Sequence, residues 1–81
     1  MGAAESTRLF VQVGAFTEYQ NAYQVAARLK PVGNVSITSV IVDGKEFFRV
    51  RFGPLANVAQ ADHLLEGAIR YGYPDSRVVV D

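Results

Sequence analysis

The sequence predicts a small α+β domain whose elements run βαββαβ, and two observations carry the prediction. The chain states one pattern twice, VQVGAF at Val11–Phe16 and VRFGPL at Val50–Leu55. Each copy alternates like a strand, places a glycine (Gly14, Gly53) at the strand's end and leads into an amphipathic helical stretch, so each half reads as a strand followed by a helix. The second observation is Asp43-Gly44 between two β-rich runs. This dipeptide is the strongest short-range hairpin signal, because a type I′ turn needs positive φ at both central positions.

Taken in order, Arg8–Ala15 alternates as a first strand, with Leu9, Val11 and Val13 on one face and Phe10 and Gln12 on the other. Thr17 with Gln20 reads as a capping box, and Ala22, Val25, Ala26 and Leu29 supply one apolar face of a first helix that Pro31 and Gly33 end. The hairpin strands follow, 34–42 and 45–53. A two-residue turn sets Val35 opposite Phe52, Ser36 opposite Arg51, Ile37 opposite Val50, Thr38 opposite Arg49 and Val40 opposite Phe47. Apolar meets apolar and polar meets polar, whereas a slip of one residue would bury the arginines. Pro54 is expected to break the strand. Asn57 with Gln60 then starts a second helix with a core stripe of Ala61, Leu64, Leu65, Ala68 and Ile69. Gly72-Tyr73-Pro74 stops it, and Ser76–Val80 forms a short last strand.

Right-handed crossovers for both βαβ units place the strands in the spatial order 4-1-3-2, with both helices on one face. The result is a ferredoxin-like (RNP-like) four-stranded antiparallel sheet. Its other face has no helix to cover it, and Phe10, Gln12, Ser36, Thr38, Phe47, Arg49 and Arg51 are expected there as a solvent-facing platform. A solvated polar face is the ordinary explanation of such a surface. Two large rings and two arginines on central strands, which unlike edge strands need no charge to deter pairing, favour a ligand surface instead.

Composition narrows the function. At 81 residues the chain holds one domain, residues 8–81 after a lead-in linker at 1–7, and a domain this short buries only about 60% of its unfolded surface. Eight basic and eight acidic side chains cancel, without the basic excess of nonspecific nucleic-acid binders. With no Cys and a single His, disulfides and thiolate metal sites are excluded, and neither a metal nor a cofactor is expected. His63 reads as a solvent-facing helix residue. The acids Glu18, Asp43, Asp62, Glu66 and Asp75 are scattered over turns and helix surfaces, so no pair is set up as general acid and base. The glycines belong to no phosphate-cradling run. Catalysis, if any, is expected from a neighbouring domain. No apolar run reaches the ~20 residues that span a bilayer. MGAAEST lacks the features of a signal peptide, so an export signal would lie outside these residues.

VQVGAF before one helix and FRVRFGPL before another, closed by GYPDSRVVVD, resemble the signature segments of the SPOR domain family over about Arg8–Asp81. The resemblance implies a bacterial periplasmic module that binds peptidoglycan glycan strands lacking stem peptides and gathers at the division septum, and the domain is expected to be monomeric. It puts the ligand on the open sheet face, with the family's first-strand Gln represented by Gln12. Many members carry Ser three residues later, where this chain has Ala15. The chemistry is compatible. Stem-peptide removal frees the lactyl carboxylate of N-acetylmuramic acid, which Arg49 or Arg51 can take through a two-pronged hydrogen bond. Gln12, Ser36 and Thr38 offer groups for acetamido and hydroxyl partners, and Phe10 and Phe47 offer faces for sugar rings. The main rival is an RNA-recognition-like domain, which shares the topology and stacks bases on the same central strands. Neutral charge argues against it, and no nucleic-acid partner is expected. A regulatory domain binding a small molecule between protomers is more remote, and the topology alone does not choose among these readings.

Overall fold

The computed structural model describes residues 8–81; the linker expected at 1–7 lies outside the described residues. The elements are β1 (Leu9–Phe16), α1 (Tyr19–Leu29), β2 (Val35–Val42), β3 (Lys45–Leu55), α2 (Val58–Arg70) and β4 (Arg77–Val80). The sheet is antiparallel in the order β2-β3-β1-β4, the expected topology. Asp43 and Gly44 both take positive φ, 52° and 80°, and all five expected β2–β3 pairs occur. A two-residue turn leaves the hairpin no other register, which is why this part followed from local chemistry.

Both helices lay small residues on one sheet face. Ala22, Ala26 and Leu29 of α1 and Ala61, Leu64 and Ala68 of α2 close over Val11, Val13, Val50 and Phe52 in one buried cluster. Phe52 is its largest fully buried side chain, worth about 1.5–3 kcal/mol in apolar transfer. Leu65 flanks the α2 stripe half-buried. Ile69, expected in the core, is instead 43% exposed, because it lies a further 100° around the helix from Ala68 and beyond the sheet contact.

The helix ends differ from each other. Asn57 caps α2 as expected: its Oδ1 accepts from the Gln60 N–H at 2.9 Å, while Gln60 Oε1 accepts from the Ala56 N–H at 2.9 Å. Gly72, at φ 103°, ends α2 in a Schellman motif, with Tyr73 N donating to Ala68 O and Gly72 N to Ile69 O. The Thr17–Gln20 capping box is not formed. The N-cap of α1 is Glu18, with no side-chain cap bond. The physical reason is that β1 runs one residue further than expected, to Phe16 paired with Phe48, which delays the helix start.

Two irregularities in the β1–β3 ladder were not foreseen. Val13 is an extra residue on β1 between the pairs Gln12–Arg51 and Gly14–Val50. This bulge lets Val13 stay in the core and turns Ala15 to the open face beside Arg49. On β3 the extra residue falls at Gly53-Pro54, between the pairs Val11–Phe52 and Leu9–Leu55. Pro54 therefore does not break β3, since a bulge tolerates the missing N–H. Gly53 is required here: φ is 128°, and a Cβ would lie 2.9 Å from both Leu9 O and Phe10 Cδ2. Ser76 sits just before β4 rather than in it, buried, its hydroxyl donating to Tyr73 O at 2.8 Å.

Candidate functional site: the uncovered sheet face

Because directly paired residues share a face, the registers fix which side chains stand away from the helices. One row crosses all four strands: Ser36 on β2, Arg51 on β3, Gln12 on β1 and Arg77 on β4. At strand spacings of about 4.8 Å it extends roughly 14 Å. A second row holds Thr38, Arg49 and Ala15, and a third pairs Val40 with Phe47. On the other side of the first row stand Phe10 and its partner Val79, followed by the Arg8–Asp81 pair, whose backbones exchange hydrogen bonds of 2.9 and 3.3 Å. All seven residues expected on this face stand on it.

They are not equally available. Ser36 and Thr38 are exposed, while Gln12, Phe10, Phe47 and Arg49 are half-buried. Arg51, expected to face solvent, is only 3% exposed. Its side chain lies flat on the sheet, with Cζ 4.0 Å over the centroid of the Phe10 ring and Nη2 3.0 Å from Asp81 Oδ2. One face of Phe10 is thereby occupied, and the ring edge rests against Gly53, where a side chain would displace it. The Nε atoms of Arg49 and Arg51 are buried with no hydrogen-bond partner among the described residues. Such groups are costly to leave unmatched and are satisfied by water or by an added acceptor.

Among the members of this face that sequence reasoning missed, Ala15, Arg77 and Asp81 bear on the site. Strict alternation turns Ala15 inward and Phe16 outward, and an outward Phe16 was the available sign that the period shifts. For Arg77 and Asp81 the sign was the period-two spacing Arg77, Val79, Asp81, obscured by an all-valine strand centre. Tyr19 stacks on Tyr23 and meets Phe48 edge to face at 5.5 Å, and Tyr73 packs on the core with its hydroxyl 3.4 Å from Arg28 Nη1.

Among the described residues no helix is long and apolar enough to cross a membrane, and no group of three His, Asp or Glu side chains is placed to hold a metal. The face offers hydrogen-bonding and stacking groups in fixed positions and no nucleophile paired with a base. Those groups suit recognition of a ligand with polar substituents and apolar faces.

Comparison with known proteins places this geometry. The SPOR domain family model matches residues 5–79. Among solved structures, the RlpA SPOR domain from Pseudomonas aeruginosa superposes with a TM-score of 0.79 at 27% identity, covering 88% of this chain and 96% of that one. The peptidoglycan binding domain of the B. subtilis cell wall lytic enzyme CwlC superposes with a TM-score of 0.75 at 26% identity, covering 100% of this chain and 98% of that one. No curated protein sequence matches the chain.

Proposed function

Because the chain belongs to the SPOR domain family, we propose that it is a peptidoglycan-binding module, that its ligand is the glycan strand stripped of stem peptides, and that this binding gathers its parent protein at the division septum. The observation that carries the reading is the row Ser36–Arg51–Gln12–Arg77 on the sheet face that neither α1 nor α2 covers, flanked by Phe10 and Phe47. Similarity to a domain described as peptidoglycan binding supports it.

The chemistry of the face matches that ligand. Gln12 supplies both a donor and an acceptor, as an acetamido group requires, and the exposed hydroxyls of Ser36 and Thr38 complement sugar hydroxyls. Phe47 and the free side of Phe10 present apolar surface to the C–H face of a pyranose. A strand without stem peptides carries one lactyl carboxylate per disaccharide, and guanidinium groups meet carboxylates in a bidentate geometry that Lys cannot reproduce. An intact strand has an amide in place of this anion and a peptide that would collide with the flat sheet. Both effects act against it. A shallow surface gives weak binding per site, so many copies along one strand supply the retention. The parent we propose is a periplasmic wall enzyme of the rare lipoprotein A kind, an outer-membrane lipoprotein whose lytic transglycosylase chemistry belongs to another domain.

Pulldown on purified sacculi tests the reading. Amidase-treated sacculi should retain the domain and untreated sacculi should retain much less, while Gln12→Ala weakens retention without altering the unfolding midpoint. Equal retention on both materials would refute the ligand. Tight binding of single-stranded RNA under the same conditions would favour the RNA-recognition alternative.

A further inference from the structure

The row across the sheet contains two guanidinium groups in opposite states. Arg51 is 3% exposed and committed to Asp81 and Phe10. Arg77 is exposed, and among the described residues no hydrogen bond or ion pair engages its side chain. To receive a ligand anion Arg51 must leave a carboxylate it already holds. Arg77 gives up nothing but water.

The outer strands are also unequal. β2 pairs with β3 over all eight of its residues, whereas β4 pairs with β1 only from Leu9 to Gln12. Past Gln12, where the Val13 bulge turns the strand, β1 has β3 on one side and no strand on the other. A cleft of ≈ 210 Å³ lies there, lined by Gln12, Val13, Gly14, Ala15, Asp75 and Arg77. It touches the cross-sheet row, and both polar side chains of the row's β1–β4 end border it.

We propose that this cleft is the carboxylate-receiving subsite of the glycan surface, and that Arg77 is the residue that tells a free lactyl carboxylate from an amidated one. The inference rests on the peptidoglycan reading above and refines it: Arg51 becomes a positioning residue, holding the Phe10 ring, and the anion is met on β4. The guanidinium fork reaches both carboxylate oxygens side-on, with the Gln12 amide adjacent for the neighbouring acetamido group. Asp75 borders the same cleft without pairing to Arg77. Its negative charge offsets the guanidinium at a distance, so an anion is favoured only in direct contact with Arg77 and in one orientation.

The test uses soluble glycan strands prepared by amidase digestion, and the same strands with their muramic acid carboxylates coupled to methylamine. Wild type should bind the acid form about tenfold tighter than the methylamide, the scale of one charge-assisted hydrogen bond. Arg77→Gln should bind both forms alike, at the methylamide level, with an unchanged circular dichroism spectrum. Arg77→Lys should restore only part of the preference. The proposal is overturned if Arg77→Gln keeps the wild-type preference, or if Arg49→Gln abolishes it instead. Equal wild-type binding to acid and methylamide also overturns it while leaving peptidoglycan binding standing. Failure of wild type to bind either strand removes the underlying reading and this one with it.

Discussion

Arg51 and Asp81 organise the open face, and the strength of their coupling can be worked from their surroundings. At 3% exposure Arg51 has lost nearly all its water, whereas the Asp81 side chain is 50% exposed. Exposed ion pairs contribute about 0.2–1 kcal/mol, and truncating one member of a fully buried pair costs about 3–5 kcal/mol. With one partner buried and the other half in water, a coupling of about 1–2 kcal/mol is expected by interpolation between those limits. The Nη2 contact carries most of it, since Arg51 Nε has no partner among the described residues. The measurement is a double-mutant cycle with Arg51→Met, Asp81→Ala and the combined variant, each unfolded in urea and followed by circular dichroism. Loss of the Phe10 contact occurs in both Arg51→Met legs and cancels. In a domain this small 1 kcal/mol moves Tm by about 4–8 °C, so Asp81→Ala alone should be visible by heating. Arg51→Met should cost less in the Asp81→Ala background than in wild type, because there it removes a stranded charge. A coupling below about 0.5 kcal/mol would place the pair among exposed ones. The claim that Asp81 fixes Arg51, and through it Phe10, would then fail.

Three further substitutions examine other parts of the account. Gly53→Ala puts a Cβ 2.9 Å from Leu9 O at φ 128° and should destabilise by about 1–3 kcal/mol; an unchanged urea midpoint would contradict the bulge geometry. Asn57→Ala removes the acceptor of the Gln60 N–H and should cost about 1 kcal/mol, whereas Thr17→Ala, which breaks no cap, should stay within about 0.5 kcal/mol. Comparable losses in the two would restore the Thr17 cap. Ala15→Ser adds a hydroxyl to the exposed position beside Arg49 and should tighten binding to stripped strands several-fold at constant stability; unchanged binding would put the ligand elsewhere.

What could be read in advance follows the reach of local rules. The β2–β3 pairs are set by a two-residue turn, and the inward faces of both helices by their 3.6-residue period, so both were legible in the residues themselves. The β1–β3 and β1–β4 registers join segments far apart in sequence, with no turn to fix them. A bulge also costs the side-chain pattern only one shifted residue, and Gly14 beside Val13 leaves little contrast to reveal it. The same gap explains Arg51. Alternation gives its face correctly, but whether a long side chain stands up into solvent or lies along the sheet depends on Asp81, thirty positions away and on another strand.

The internal repeat explains why the site sits where it does. Gln12 and Arg51 are equivalent positions in VQVG and VRFG, and they are direct partners across the central β1–β3 ladder. Each copy also takes its ladder irregularity at the glycine end, Val13–Gly14 in one and Gly53–Pro54 in the other. A sheet with two such equivalent halves would present the same surface in both directions along a ligand. The symmetry is broken by the outer strands, eight residues in β2 against four in β4. The shorter one leaves the end of β1 open beside Gln12, while Asp81 at the far end of β4 occupies Arg51. One arginine is thereby held in place, and the other is without a partner among the described residues. On the proposed reading, a directional chain such as a glycan, with a carboxylate recurring at one sugar of each pair, would meet a surface that distinguishes its two ends.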